Sequence, residues 1–146
     1  MRQIGEFIEG KPLFFVDLHQ SVRSVAVTMA DKNIGAVAVL DSEQLVGVFT
    51  ERDLMTRVVA PGLSPDDTEV SSVMTREVAV AAPNDGIQEC LQRMHSLNCR
   101  HLPVVDEGHL VGMISLRDLL QVDRKWHQER ATFLTELVSY SPDYES

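Results

Sequence analysis

The chain contains an internal repeat with a constant offset of 65 residues. The segment GVFTERDL at 47–54 returns as GMISLRDL at 112–119, and the same offset aligns Asn33 with Asn98 without a gap. A fixed period indicates two copies of one supersecondary unit, and a unit this short buries too little apolar surface to be stable alone. We therefore expect the two copies to pack on each other, with any binding site between them.

The charge and hydropathy of the chain narrow the classes of partner. In 146 residues, 13 basic and 22 acidic side chains give a formal net charge of −9. Such a chain lacks the broad basic surface that neutralises a nucleic acid backbone or an anionic membrane. No apolar run approaches the roughly 20 residues of a spanning helix, and the N-terminus lacks the pattern of a secretory signal. We expect a cytoplasmic protein with neither nucleic acid nor membrane as a partner.

Hydrophobic periodicity predicts the order β-α-β-β-α for each copy. In the first copy, the strand, the helix, the two hairpin strands and the second helix are predicted at 13–16, 21–34, 36–40, 45–49 and 50–60. We expect the first helix to end at Gly35 and Thr50 to be the N-cap of the second. In the second copy, the predicted strands are 78–81, 101–105 and 109–114, and the predicted helices are 86–97 and a segment starting at 115.

These elements suggest four segments along the chain. Residues 1–60 form the first unit with a lead-in, residues 61–68 a linker rich in proline and aspartate, and residues 69–121 the second unit. Residues 122–146 form a C-terminal helix and tail. An apolar stripe at helical spacing continues into this last segment through Leu119, Val122, Trp126, Phe133 and Leu137.

Each copy has a hydroxyl residue followed three positions later by an aspartate, directly after a strand and at the start of a helix. These are Thr50 with Asp53, and Ser115 with Asp118. One interpretation is helix capping, since an N-cap hydroxyl accepts a backbone N–H and an acidic residue suits the first turn. The other is ligand binding, because a carboxylate at such a corner can accept both hydroxyls of a ribose. The tetrapeptide alone leaves both interpretations open.

The two corners differ in the cations near them. In the second copy, Arg100 and His101 open the strand that pairs with the one ending before Ser115. A phosphate would need such cations, because the aspartate itself repels it. The first copy has Gly35 and Ala36 at the matching positions, and its nearby cation is Arg52. We therefore expect two unequal sites.

At this point the chain resembles a known family, the cystathionine β-synthase (CBS) domains, which occur in pairs called Bateman modules. The resemblance covers residues 11–121 and rests on LVGVFTERDL at 45–54, VMT at 73–75, RHLPVVD at 100–106 and LVGMISLRDL at 110–119. It implies a mixed α/β (α+β) fold in which two β-α-β-β-α units pack sheet to sheet about a pseudo-twofold axis. It also implies two clefts that accept adenosyl compounds such as AMP, ADP, ATP or S-adenosylmethionine.

The same resemblance implies roles for individual residues. In the main cleft, Asp118 would hold the ribose hydroxyls, Ser115 would lie beside the ribose and phosphate, and Arg100 and His101 would face the phosphates. The residues that would flank the adenine are Ile34, Gly35 and Ile114. The second cleft would use Asp53, Thr50, Phe49, Cys99 and, as a phosphate-contacting cation, Arg52. Because that cleft lacks the basic pair, an adenosine-like ligand, a weakly charged ligand and an empty site remain equal alternatives.

Other chemistries have weaker support in the sequence. The spacing of Cys90, His95, Cys99 and His101 matches no standard zinc arrangement, so we expect buried free thiols and no metal site. Without a nucleophile elbow, a glycine-rich phosphate loop or a cofactor fingerprint, we expect no catalytic residues, no required cofactor and no enzymatic activity. The leading hypothesis is a regulatory module that senses an adenosyl ligand and modulates a protein in trans or its own homodimer. The alternative is a ligand-free structural homodimerisation module.

Overall fold

Two sheets, one from each copy of the repeat, form the framework of the protein. The structure, a computed structural model, describes residues 2–139, without the side chains of Trp126, Arg130 and residues 133–139. The strands β1 to β5 are Phe15–Asp17, Ala36–Asp41, Gln44–Thr50, His101–Asp106 and His109–Ser115. The helices α1 to α5 are Gly5–Ile8, Val22–Lys32, Glu51–Asp53, Ile87–Leu97 and Leu116–Ser139. One sheet has the order β1-β2-β3 and the other pairs β4 with β5, which confirms the mixed α/β fold class.

The two hairpins have equivalent registers. Ala36 pairs with Thr50 in the antiparallel ladder of β2 and β3, and His101 pairs with Ser115 in that of β4 and β5. Both ladders contain one register shift at the same place in the repeat. Each hairpin therefore places the first residue of one strand opposite the hydroxyl residue that ends the other.

Helices α2 and α4 both end at an asparagine, so the predicted helix end at Gly35 is wrong. Asn33 and Asn98 are the C-caps, and both have left-handed backbone conformations, with φ of 54° and 51°. Asparagine tolerates this conformation better than other residues with a Cβ, and it can therefore replace glycine as a helix terminator. Gly35 lies just before β2 instead.

The predicted first strand of the second copy, 78–81, is reduced to one residue. Ala81 forms an isolated parallel bridge to Val104. Its N–H donates to the carbonyl of Pro103 over 2.9 Å, and its carbonyl accepts from the N–H of Val105 over 2.8 Å. The next bond of a parallel ladder would need an N–H from Pro103, which proline lacks. The first copy has Ala38 at this position, and there β1 is a regular strand that pairs with β2.

The helices that end the two copies also differ. After α3 the first copy continues as a π-helix over Leu54–Val59, where the N–H of Ala60 donates to the carbonyl of Met55. In the second copy, α5 is one α-helix that includes the predicted C-terminal helix. Leu119 is buried in the second core and Val122 packs against it. The stripe side chains Trp126, Phe133 and Leu137, and residues 140–146, lie outside the part of the chain that is described.

Each lead-in packs on the other unit. Ile4 is fully buried in the core of the second unit, and its N–H donates to the carbonyl of Asp85 over 2.9 Å. Val70, in the segment 69–75 at the start of the second unit that we call the second lead-in, is fully buried in the core of the first unit, and its N–H donates to the carbonyl of Gln20. The equivalent strands β3 and β5 also contact each other. A reciprocal exchange of this kind relates the two units by an approximate twofold axis.

Candidate functional site

Both hydroxyl-aspartate corners are helix caps. The Thr50 hydroxyl accepts from the N–H of Asp53, and the Asp53 carboxylate accepts from the N–H of Thr50, each over 3.1 Å, which completes a capping box. At the second corner, the Ser115 hydroxyl accepts from the N–H of Asp118 over 3.0 Å. The capping interpretation is therefore confirmed at both corners, and ligand binding depends on what else each carboxylate contacts.

The Asp53 carboxylate is buried and has several partners. Asp53 is 6% exposed, and the Thr75 hydroxyl donates to its two oxygens over 3.2 and 3.3 Å. The Arg57 guanidinium lies 3.6 Å from the same carboxylate and donates to the carbonyl of Met74 over 2.9 Å. Asp53 therefore holds the second lead-in against the first unit, and its carboxylate oxygens already accept hydrogen bonds from protein groups.

The Asp118 carboxylate, by contrast, is exposed and accepts no hydrogen bond or ion pair from the residues that the structure describes. The repeat explains the difference. At the positions equivalent to Thr75 and Arg57, the sequence has Gly10 and Val122. Neither side chain can donate a hydrogen bond. A free carboxylate therefore remains at the second corner, available to hydroxyl donors.

A cavity of about 100 Å³ lies beside Asp118. We refer to it as the Asp118 cavity. It is formed by α1 and the segment after it, β5 and the first turns of α5. Its lining is mostly apolar: Phe7, Ile8, Met113, Ile114, Leu119 and Val122, with Lys11, Asp118 and Gln121 as the polar members. Of the predicted site residues, only Asp118 and Ile114 line it.

Several charged residues affect the pKa of His101, which is half-buried at the start of β4. Burial lowers the pKa of His101 below its usual value, while the carboxylates of Glu51 and Asp118 raise it and Arg100 lowers it further. Glu51 belongs to the first unit and the other residues to the second. We refer to Glu51, Arg100, His101 and Asp118 as the inter-unit cluster.

Glu51 was not among the residues predicted from the sequence. Its N–H donates to the carbonyl of Gly35 over 3.0 Å, and a Cβ placed on Gly35 would lie 3.2 Å from its Oε1 atom. The carboxylate thus occupies the space that a side chain at position 35 would fill. One difference between the copies could have pointed to it. The first copy has the acidic Glu51 at a position where the second copy has Leu116.

The other predicted residues lie in different environments. Arg100 and Arg52 are exposed, and within the described residues neither side chain has a hydrogen bond or an ion pair. Ile34 packs against the first core, and Cys99 packs against the second, where burial raises the pKa of its thiol. Phe49 is fully buried in the first core. It therefore supports the sheet and presents no surface to a ligand.

The burial of His101 predicts a pH dependence of stability. The unfolded chain takes up a proton at this residue near its usual pKa of 6.5, and the folded chain does so at lower pH. Between these pKa values the unfolded state binds more protons, so the stabilising contribution is complete above 6.5 and is lost as the pH falls. We expect the free energy of unfolding to decrease between about pH 7.5 and pH 5.5, and His101→Gln to reduce that decrease.

Urea unfolding followed by circular dichroism at a series of pH values measures this difference. His19 acts in the opposite sense, because a hydrogen bond to Glu69 raises its pKa, but it is present in both proteins and cancels in the comparison. Equal pH slopes for the wild type and His101→Gln would contradict the prediction.

The described residues contain neither a candidate metal site nor a candidate membrane span. Among the described side chains, no three His, Cys, Asp or Glu residues are grouped so that they could hold a metal ion. Over the same part of the chain, no helix combines the length and the apolar character that crossing a membrane requires. Cys90 is a buried free thiol, and burial raises its pKa to about 11.

Comparison with known proteins identifies the family. The sequence model of the CBS domain matches residues 4–60 and 70–125, so the chain belongs to the CBS domain family and contains two such domains. It is similar to the CBS domain-containing protein YhcV of Bacillus subtilis, with 33% identity over 122 residues that cover 84% of this chain and 86% of YhcV. The resemblance drawn from the sequence motifs is confirmed.

Two solved structures have the same fold. The CBS-domain containing protein ATU1752 from Agrobacterium tumefaciens is 30% identical with a TM-score of 0.77, and the match covers 84% of this chain and 99% of that one. The CBS domain protein PAE2072 from Pyrobaculum aerophilum, solved in complex with AMP, is 26% identical with a TM-score of 0.73. That match covers 80% of this chain and 89% of the other.

Proposed function

We propose that the chain is a regulatory module that binds an adenosyl compound at Asp118 and transmits its occupancy to a protein in trans or to its own oligomer. The observation that carries the proposal is the free carboxylate of Asp118 at the edge of an apolar cavity. A carboxylate accepts both hydroxyls of a ribose, and an apolar cavity suits the faces of an adenine ring. The AMP complex of PAE2072, a member of the same family, supports this class of ligand.

The remaining predicted residues fit the other end of such a ligand. Arg100 is an exposed cation directly before His101, and the charge of Asp118 raises the pKa of His101. Ser115 is opposite His101 in the ladder of β4 and β5. A nucleotide whose ribose binds Asp118 would therefore have its phosphates near Arg100 and His101. We propose these residues as the phosphate end of the site, with AMP, ADP, ATP and S-adenosylmethionine as the candidate ligands.

The size of the cavity suggests how binding changes the protein. Pockets for small molecules usually measure about 300–1,000 Å³, and the Asp118 cavity measures about 100 Å³. One wall consists of Phe7, Ile8 and Lys11, which belong to the short helix α1 and the residues after it. In this proposal, admission of an adenine ring moves this wall outward. A ligand that binds the open form better shifts the equilibrium toward it, and this shift is the proposed signal.

Asp118→Ala is expected to abolish stabilisation by the ligand. A ligand at about 100 times its dissociation constant adds about 2.7 kcal/mol to the free energy of unfolding and raises the melting temperature. The measurement is thermal unfolding with AMP, ADP, ATP and S-adenosylmethionine. The matched control is Asp106→Ala. It removes an exposed aspartate at the end of β4 that is opposite to His101.

Two outcomes would contradict the proposal at different levels. If none of the four compounds raises the melting temperature of the wild type at high excess, the ligand class is wrong. If the wild type responds and Asp118→Ala responds equally, the ligand class stands and the assigned site is wrong.

A second candidate function is a ligand-free structural module that forms a homodimer. The observation that favours it is a set of exposed apolar side chains on the helices that end the two copies. Met55 and Val59 are 60% and 64% exposed, and Leu120, which is equivalent to Met55 in the repeat, is 51% exposed. Exposed apolar surface of this kind often marks a protein contact. This alternative requires a dimer mass in solution together with no response to any adenosyl compound.

A further inference from the structure

Gln121 provides a free carboxamide at the Asp118 cavity. It lies on α5 three residues after Asp118, and both side chains line the cavity. Residues at this spacing are neighbours on one face of a helix, with about 5–6 Å between their Cβ atoms. The Gln121 side chain is exposed, and its amide has no hydrogen bond with the residues that the structure describes. The carboxamide is therefore available to a ligand that also contacts Asp118.

The first copy has a different residue at this position of the repeat. Thr56 is equivalent to Gln121, and its hydroxyl donates to the carbonyl of Arg52 over 2.8 Å in the helical segment of that copy. The polar group of Thr56 thus bonds to its own backbone. The second copy differs from the first in having both a free carboxylate, at Asp118, and a free amide, at Gln121, and the two lie at the same cavity.

The polar side chains that line the cavity differ in the hydrogen bonds that they can form. The Lys11 ammonium only donates, the ionised Asp118 carboxylate only accepts, and the Gln121 carboxamide does both. In the proposed function, the ribose hydroxyls donate to Asp118. Among the side chains of the lining, the oxygen acceptor that remains for the base is then Oε1 of Gln121.

An adenine ring has an amino group that needs such an acceptor. The amino group at C6 donates and the neighbouring N7 atom accepts, so one carboxamide can form two hydrogen bonds with this edge of the base. Lys11 cannot replace Gln121 in this contact, because an ammonium has no lone pair. Since purine bases without a titrating group are uncharged at neutral pH, donors and acceptors decide the recognition of this edge, and the charges of Lys11 and Asp118 do not.

We infer that Gln121 is a specificity-determining residue of the proposed adenosyl site, and that its Oε1 atom accepts a hydrogen bond from the 6-amino group of the base. The inference rests on the proposed function, because it requires the ribose at Asp118 and the base in the cavity. Gln121 then selects ligands by the group at C6, whereas the phosphate end of the site acts on the opposite end of the ligand.

The test compares AMP with purine riboside 5′-monophosphate, which lacks only the 6-amino group. The two ligands have the same charge, so Lys11, Asp118 and the phosphate end act equally on both. We expect the wild type to bind AMP about fivefold more tightly, as one hydrogen bond between neutral groups would give. Gln121→Met keeps the length and helix propensity of the side chain but removes the amide, so it should bind both ligands equally. Isothermal titration calorimetry measures the affinities.

Gln128→Met is the matched control. Gln128 is also exposed on α5, about two helical turns beyond Gln121, and it does not line the cavity. This variant should keep the preference of the wild type for AMP. An equal preference for AMP in the wild type and in Gln121→Met would overturn the inference, because another group would then accept from the 6-amino group.

Gln121→Glu separates hydrogen bonding from packing. Its carboxylate has nearly the same shape as the carboxamide and still accepts a hydrogen bond, and its added charge acts equally on the two ligands. The preference for AMP should therefore remain in this variant. Its loss here as well as in Gln121→Met would overturn the inference, since the acceptor is retained.

The failure of this inference can be distinguished from that of the proposed function. If AMP binds, Asp118→Ala abolishes the binding and Gln121→Met leaves the preference unchanged, the inference alone is overturned. If the wild type binds neither AMP nor its analogue, nor any of the other adenosyl compounds, the proposed function and this inference are overturned together.

Discussion

Gly47→Ala is expected to lower the free energy of unfolding by about 3 kcal/mol. A Cβ at position 47 would lie 2.6 Å from Sδ of Met74 and 2.8 Å from the backbone oxygen of Thr75. The backbone of Thr75 cannot retreat, because its N–H and carbonyl exchange two hydrogen bonds of 2.9 Å with Val48. Relief of the contact would break this bridge between β3 and the second lead-in.

Two other glycines provide a graded comparison. At Gly112, the equivalent position of the second copy, an added Cβ would meet side-chain atoms of Ile8 at 2.9 to 3.2 Å. A side chain can shift more readily than a backbone oxygen, so we expect Gly112→Ala to lower the free energy of unfolding by about 1 kcal/mol. Gly35→Ala should lower the free energy of unfolding by a smaller amount, since the added Cβ meets the end of the flexible Glu51 side chain. Urea unfolding measures all three, and an equal cost at positions 47 and 35 would contradict the explanation.

Asp53→Ala is expected to destabilise the protein by about 3 kcal/mol, whereas Asp118→Ala should change its stability by less than about 0.5 kcal/mol. The reason is the difference in partners. Removal of the Asp53 carboxylate breaks the capping box and leaves Thr75 without an acceptor and Arg57 without its ion pair. The Asp118 carboxylate is exposed and has no such partner among the described residues.

Chemical denaturation of the two variants without ligand gives these values directly. Thr75→Val serves as an intermediate case, because it removes one hydroxyl donor and leaves the capping box in place. We expect it to lower the free energy of unfolding by about 1 kcal/mol. Equal losses for the two aspartate variants would show that the corners are equivalent in the folded protein. The basis for assigning the ligand to Asp118 would then be lost.

These two results together would define a division of roles within the repeat. The first corner uses its aspartate to hold the second lead-in onto the first unit. The second corner has a hydroxyl cap but no donor to occupy the carboxylate, and α1, from the lead-in of the first unit, forms a wall of the Asp118 cavity instead. In the proposed function, one aspartate maintains the arrangement of the units and the other responds to a ligand.

Much of the fold could be predicted from local patterns. The two hairpins, the central helices and the caps at Thr50 and Ser115 follow from hydrophobic periodicity and from hydroxyl residues placed before a helix. Two predictions failed for identifiable reasons. The helix end at Gly35 overlooked the ability of Asn33 to take a left-handed conformation. The strand at 78–81 overlooked that Pro103, in the neighbouring strand, has no N–H to donate.

The site could be predicted only in part. The pairing of Ser115 with Asp118 and the cations Arg100 and His101 were visible as motifs. The contact of Asp53 with Thr75 and the location of Glu51 were not, because they depend on segments far apart in the chain. Thr75 and Asp53 are 22 residues apart, and Glu51 and His101 come from different copies of the repeat.

The sequence alone determined that the protein is a duplicated unit with two similar corners, since a repeat and its capping residues are local properties that short segments carry with them. The tertiary structure alone decided which corner has a free carboxylate. The replacements of Thr75 by Gly10, ahead of the first unit, and of Arg57 by Val122, in the second copy, are present in the sequence. The effect of the first replacement depends on the tertiary structure, because the exchanged lead-in brings Thr75 beside Asp53, and a hydrogen bond depends on distance in space and not along the chain.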